Sequence, residues 1–233
     1  DAIVLASATG SLDTSIKLVD EGGIVVNSNI FRGFGYHGIS FNDPKNPHAV
    51  LAEPFPENMR QLLLTSAEEA GVKAHGGGLY VHNEGNQFES PAEIAALYSW
   101  LNAPAAGLRN VGWMEYLFEQ NGAMASLDPR IEELVKTLQE QRAMYERLGK
   151  NLNVNGAQVS MNAGRSTVLA LEAGFSQLAL VSFPVNYGAG LIPEEQVDHD
   201  RTIAAIDNAK EPYIVPFFKK VIENAPRFVE AGS

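Results

Sequence analysis

The chain contains no cysteine. That excludes a disulfide framework and any thiolate chemistry, and it leaves the compartment open. No apolar run approaches the roughly 18 residues of a membrane span. Cations are scarce: 17 Lys and Arg stand against 28 Asp and Glu, a formal charge of −11 with no basic run. Nucleic acid and anionic membrane surfaces bind through clustered cations, so neither is an expected partner. Several catalytic signatures are missing as well. There is no Gly-x-Gly-x-x-Gly after a strand, no Walker loop, no His-Glu-x-x-His and no Cys/His metal spacing. No Gly-x-Ser-x-Gly elbow is present either. Internal repeats and low-complexity segments are absent, and no metal is expected.

What is present is an α/β pattern in 233 residues, 45% of them apolar, enough for one globular domain with a full core. Its centre is Ala157–Leu191. A short apolar run, Val159–Met161, breaks at Asn162-Ala163-Gly164. Ser166 is a good N-cap for a helix that stops at Gly174, and a second apolar run, Leu178–Val185, ends in Asn186-Tyr187-Gly188-Ala189-Gly190. Strand, helix, strand is the unit of a parallel sheet, and ligands bind outside the carboxyl ends of such strands. Met161, Asn162, Asn186 and Gly188 are therefore expected to line one pocket.

The remaining elements follow in order. Ala2–Ala6 reads as a strand entered directly from Asp1, which suggests that something upstream has been lost. The turn expected at Ser7-Ala8-Thr9-Gly10-Ser11 is either an anion-binding nest or an ordinary corner. Gly23–Asn27 is a second strand. Phe31–His48 reads as a long loop whose His37 and His48 are site residues or solvated surface histidines. Pro56–Ala70 is a helix, and Gly76-Gly77-Gly78 leads into the strand Leu79–His82. Ser90-Pro91-Ala92-Glu93 is a capping box that opens a helix to about Leu101. It puts Phe88 and Glu89 just before a helix N-terminus, which favours an ionised carboxylate. Taken alone, Phe88 is equally a core aromatic and Glu89 a surface charge. Residues 103–155 differ in kind: a long helix from Pro129 to Leu148 carries a narrow apolar stripe, as expected of a helical insertion. Asp200–Ala209 is a helix broken at Lys210-Glu211-Pro212, and a last helix runs to about Asn224. An aromatic, a carboxylate, an amide, a histidine and small-residue turns suit a planar polar ligand such as a purine nucleoside.

These residues resemble the trimeric purine nucleoside phosphorylases and their methylthioadenosine phosphorylase relatives. The resemblance covers about Leu5 to Asn224, outside the insertion. Leu5–Leu12 resembles a phosphate loop, and His48–Phe55 a loop that reaches a neighbouring subunit's site. Glu84-Gly85-x-x-Phe88-Glu89 is similar to the purine-site motif. Ser160-Met161-Asn162 with Val168–Gly174 resembles the ribose and phosphate segment. Val185–Leu191 resembles the base-recognition loop, and Asp198-His199-Asp200 lies where the sugar 5′ end is recognised. The specificity lies in six such matches in the right order.

The resemblance implies a three-layer αβα fold with a mixed central sheet, as a single domain with the insertion at about 103–155. It implies a cytoplasmic pentosyltransferase of purine salvage that uses inorganic phosphate as co-substrate and no other cofactor. The implied catalytic residues are Asn186, Glu89 and His199. Phe88, Met161, His48 and Gly188 would bind the nucleoside; Ser7, Ala8 and Asn162 would hold phosphate. Glu89 would accept the N1–H that only a 6-oxopurine carries. An adenine would leave that acceptor unpaired, at a cost of about 1–3 kcal/mol. A homotrimer, or a multiple of it, is expected. The family's front part, with its first phosphate loop, would precede Leu5, so a separate chain carrying it is a partner to look for. Asn86-Gln87 replaces Pro-Arg, and Asn162–Ser166 replaces a segment with a phosphate-binding hydroxyl and an acid. These departures keep hydrolysis by water, or nucleoside binding and storage without catalysis, as alternatives.

Overall fold

The computed structural model describes residues 1–32, 40–41, 50–84, 87–120, 129–151, 155–193 and 197–229. They form two compact units, Asp1–Ile94 with Asn155–Ser233, and Ala95–Val154.

The first unit is built on five strands: β1 (Ala2–Ser11), β2 (Gly23–Phe31), β3 (Lys73–His82), β4 (Gln158–Ser160) and β5 (Gln177–Tyr187). They close into a barrel in the order β1-β4-β3-β2-β5. The expected α/β class and mixed sheet are present, but the sheet curls shut where an open three-layer sandwich was expected. Bulges and glycines permit the closure. Register slips occur between Thr9 and Gly10 in β1 and on either side of Asn27 in β2. Bulges of this kind bend a strand and sharpen its twist. Pro184 of β5 pairs with Thr9 at the first slip, where a missing N–H does least harm. Gly78 sits where a β-carbon would fall on the Val25 side chain and the Gly156 carbonyl.

Strand directions correct a second expectation. β1 and β5 are parallel, as are β2 with β3 and β3 with β4, while β1–β4 and β2–β5 are antiparallel. β4 and β5 therefore run in opposite directions and are not neighbours. The strand–helix–strand stretch supplies the elements but is not a parallel unit, because each strand takes its partner from elsewhere in the chain.

Both faces of β5 are buried. Leu178 and Leu180 pack with Phe55, Tyr80, Ala163 and Ala170. Ala179, Val181, Phe183 and Val185 point the other way, into a cluster with Met59, Leu62, Leu63, Ala205, Phe217 and Val221. Period-two alternation with apolar residues on both faces explains the unbroken apolar run. The helices of this unit are α1 (Glu57–Glu69), α5 (Ala163–Glu172), α6 (His199–Ala209) and α7 (Val215–Val229). The helix was expected to break at Lys210-Glu211-Pro212; instead Lys210–Ile214 is a π-helical turn that carries α6 into α7. Pro212 costs the turn an N–H donor, and the wider winding accommodates it.

The boundary between the units falls within α2 (Pro91–Leu101); the second unit continues with α3 (Ala103–Gln120) and α4 (Pro129–Asn151). Gly107 on α3 admits the Tyr145 ring of α4, which a β-carbon would meet at 2.5 Å. Leu138 of the α4 stripe is buried, whereas Met144 is exposed. Among the described residues no helix is long and apolar enough to cross a membrane.

Candidate functional site

A cavity of about 210 Å³ lies at one end of the barrel. Strands β1, β4 and β5 contribute Ala8, Gly10, Val159 and Asn186, and the turn after β4 adds Met161 and Asn162. Gly188 follows β5, Phe88 and Glu89 precede α2, Val197 precedes α6, and His199 and Thr202 come from its first turn. Met161, Asn162, Asn186 and Gly188 thus share one cavity, and Phe88, Glu89, His199 and Ala8 join them. His48 lies outside the described residues, as do His37 and most of the long loop.

Local forces hold each wall. The Gly188 amide donates to the Ser11 carbonyl at 2.9 Å, extending the β1–β5 pairing beyond Tyr187. The Tyr187 hydroxyl donates to the Ile16 carbonyl at 2.8 Å. A β-carbon on Gly188 would press on Ile94 and Leu12, at 3.0 and 3.2 Å. The Ser160 hydroxyl donates to the Ala8 carbonyl at 2.8 Å, fastening β4 to β1 beneath the cavity. His199 is the first residue of α6, whose N-cap Asp198 accepts from the Arg201 amide at 2.9 Å. The capping box at α2 is present in both directions. The Ser90 amide donates to Glu93 at 2.8 Å, and the Glu93 amide to the Ser90 hydroxyl at 3.3 Å.

Ser7 is not at the cavity. The expected turn at Ser7–Ser11 is strand, paired with Ser182–Tyr187, so it forms no anion nest. Ser7 is buried, and its hydroxyl lies 3.2 Å from both the Tyr80 hydroxyl and the Ser160 hydroxyl. Tyr80 in turn accepts from the Ala163 amide at 3.0 Å, which satisfies a donor in the first turn of α5. That helix is capped four residues earlier than the Ser166 cap suggested. Asn162 is its N-cap residue, and its side chain makes no capping hydrogen bond. Gly164, read as part of a break, lies inside the first turn, where a β-carbon would fall on the His82 ring. The helix stops where expected, with Gly174 at φ +86°.

Glu89 is half-buried. Burial pushes its carboxyl above the ordinary value, and the charge of Glu93 adds to this. Its own backbone amide and the Asn83 side chain act in the opposite sense; the Asn83 amide donates to Glu89 Oε1 at 3.3 Å. His82 is fully buried one residue earlier, with Nε2 3.6 Å from Glu84, which also pairs with Arg165. Burial holds this imidazole below its usual value. Inspection of the motif alone missed Asn83, Gly10 and Thr202. Gly10, a glycine within a small-residue run, was the one with a signal, since such a glycine marks close approach of another group.

The walls formed by Val159, Met161, Val185, Val197 and Phe88 are apolar, and an amide and a carboxylate project between them. Such a site can clamp a flat heterocycle and read its edge by hydrogen bonds. Among the described residues no cluster of His, Cys, Asp or Glu is placed to hold a metal ion.

No family model matches the chain. Stretches of it do match individual proteins. Over 64 residues it is 38% identical to a probable 6-oxopurine nucleoside phosphorylase of Moorella thermoacetica, covering 28% of this chain and 24% of that one. Over 92 residues it is 33% identical to the S-methyl-5′-thioadenosine phosphorylase of Saccharolobus solfataricus, covering 39% of this chain and 33% of that one. The matches thus span a third or less of these two relatives. The fold superposes on the crystal structure of Schistosoma mansoni purine nucleoside phosphorylase in complex with inosine. The TM-score is 0.61 and the identity 20%, covering 94% of this chain and 60% of that one.

Proposed function

We propose that this chain, a relative of the purine nucleoside and methylthioadenosine phosphorylases, carries the nucleoside site of a pentosyltransferase. It cleaves the N-glycosidic bond of 6-oxopurine nucleosides with phosphate. One observation carries the reading: Glu89 and Asn186, far apart in sequence, face one apolar cavity with Phe88 and Met161.

In this reading Phe88 stacks on the nucleoside and Met161 packs under the ribose. As the bond from C1′ to N9 breaks, the sugar gains oxocarbenium character and the electron pair moves into the purine. Asn186 donates to N7 or O6, where that charge gathers, and Glu89 accepts the N1–H. Donors and acceptors fixed before the charge develops are the effective kind. His199 holds the 5′-hydroxyl. A phosphate oxygen then bonds to C1′, giving ribose 1-phosphate and the free base. Asn162 and the Ala8 backbone are the candidates to orient phosphate, and Ser7 is not among them. His48 from a neighbouring subunit and a trimeric assembly complete this reading.

Hydrolysis is the second reading. It is favoured by hydroxyls already engaged within the protein: Ser7 lies against Tyr80 and Ser160, Thr9 donates to Gln158, and Ser160 donates to the Ala8 carbonyl. The test is to supply inosine to the intact protein with and without phosphate and to quantify both sugar products. Phosphate-dependent ribose 1-phosphate is expected. Free ribose at an equal rate without phosphate would establish hydrolysis. Hypoxanthine binding with no product would leave a nucleoside-binding protein.

A further inference from the structure

We propose that Asn83 is a positioning residue that holds the Glu89 carboxylate in place for the purine edge. The inference rests on the base-site reading above and adds a residue to it.

Glu89 stands on an irregular segment ahead of α2, and no strand or helix fixes it from within. Asn83 is placed to do so. It directly follows β3, and its backbone amide donates to the Ser160 carbonyl at 3.0 Å. That bond ties it to the end of β4, beside Met161 and Asn162 on the cavity wall. Its side-chain amide reaches across to Glu89 Oε1 at 3.3 Å. A loop carboxylate is thereby referenced to the sheet that carries the rest of the site.

The chemistry of the donor matters. A carboxamide N–H stabilises an ionised carboxylate without cancelling its charge, as a lysine or arginine would. Glu89 can then accept strongly from a ligand N–H. Burial and Glu93 both favour the protonated acid, which keeps only a neutral, weaker acceptor for N1–H and gives up the charge-assisted bond; the Asn83 bond opposes them. Among the described residues, His199 is the one further titratable side chain lining the cavity, and the β1, β4 and β5 walls contribute no ionisable group.

The experiment compares Asn83→Leu, close in size but without a donor, with the parent in the intact protein. It measures kcat/KM for inosine and the Kd for hypoxanthine across pH. The acid limb of both profiles is expected to move up by about one pH unit, a tenfold change in the ionised fraction below the midpoint. The alkaline plateau is expected to change less than about threefold, since Glu89 still ionises there. Asn83→Ser is too short to span the bond yet stays polar; it must give the same shift. Glu89→Gln is the control. Adding Asn83→Leu to it should cause no further loss, as for two residues acting through one group. A uniform drop at every pH, or losses that simply add, would overturn the positioning role while leaving the base site intact. If Glu89→Gln changes neither inosine turnover nor hypoxanthine binding, the base-site reading itself falls, and the inference with it.

Discussion

A β-carbon at Gly10 would stand 3.0 Å from Oδ1 of Asn186, the residue that pairs with Gly10 across β1 and β5 just beyond the bulge. The glycine is the space in which the amide sits. Gly10→Ala is expected to push the Asn186 side chain by a few tenths of an ångström into the cavity. Stability should hold or rise slightly, because alanine restricts the unfolded chain by about 0.4–1 kcal/mol. Hypoxanthine affinity should fall by roughly tenfold or more, the scale of one misaligned polar contact. Calorimetric Tm and Kd measured on the same variant check the opposed directions. A parallel loss of both would mean that the strand, not the amide, is disturbed.

Ser7 offers the converse case. Its hydroxyl is buried against Tyr80 and Ser160, away from the cavity. Ser7→Ala is expected to cost about 1 kcal/mol of stability, the net worth of an ordinary internal hydrogen bond. The KM for phosphate should stay within about twofold. A large rise in that KM with unchanged Tm would return Ser7 to the anion site.

The contrast shows which features can be read locally. Helix ends were legible wherever local chemistry set them: the fixed φ of Pro56 before α1, the Ser90–Glu93 capping box at α2, and Gly174 at positive φ past α5. Ser7–Ser11 was not, because small polar residues look like a turn until β5 pairs with them from the far end of the chain. Gly76–Gly78 misled in the same way; those glycines lie inside β3, where Val25 and Gly156 leave no room at Gly78. Ser166 was a plausible cap, but α5 begins at Ala163, whose amide is satisfied by the distant Tyr80 hydroxyl and whose next residue leaves room for the His82 ring. Sheet closure and the opposed directions of β4 and β5 are likewise products of long-range pairing. The cavity residues were legible as short motifs in order, since each lies at the end of an element that punctuation marks. Asn83 carries no such mark, and only its distance to Glu89 reveals it.

Glu89 also links the site to stability. Its folded-state carboxyl lies above its ordinary value of 4.5, chiefly through burial. The folded protein therefore holds that proton more tightly than the unfolded chain does. The stability this provides is fully present below about 4.5 and is lost as pH rises through the folded value. Glu89→Gln cannot ionise and escapes the loss. Its Tm is expected to match the parent near about pH 4 and to exceed it near about pH 8. Equal Tm differences at both pH values would show that the carboxyl is not strained by its surroundings.

The last prediction concerns base selectivity and the amide of Asn186. In the proposed reading Glu89, ionised, requires a proton on N1, and Asn186 donates to N7 or O6 without first taking up a proton. Asn186→Asp alters the second half of this pair. An ionised Asp facing N7 or O6 repels the departing purine. A protonated one donates to N7 and accepts from a 6-amino group. The variant is therefore expected to lose inosine activity by about 10²–10³, the roughly 2.7–4 kcal/mol range of a lost transition-state donor. It should gain some adenosine activity, more so at lower pH, where the new acid is protonated. Below the midpoint of Glu89 the gain should grow further, since a neutral Glu89 donates to the unprotonated N1 of adenine. The measurement is kcat/KM for inosine and adenosine in both proteins across pH. A parent that already prefers adenosine, or a ratio the substitution leaves unchanged, would mean that Asn186 does not read the base and that the purine lies elsewhere.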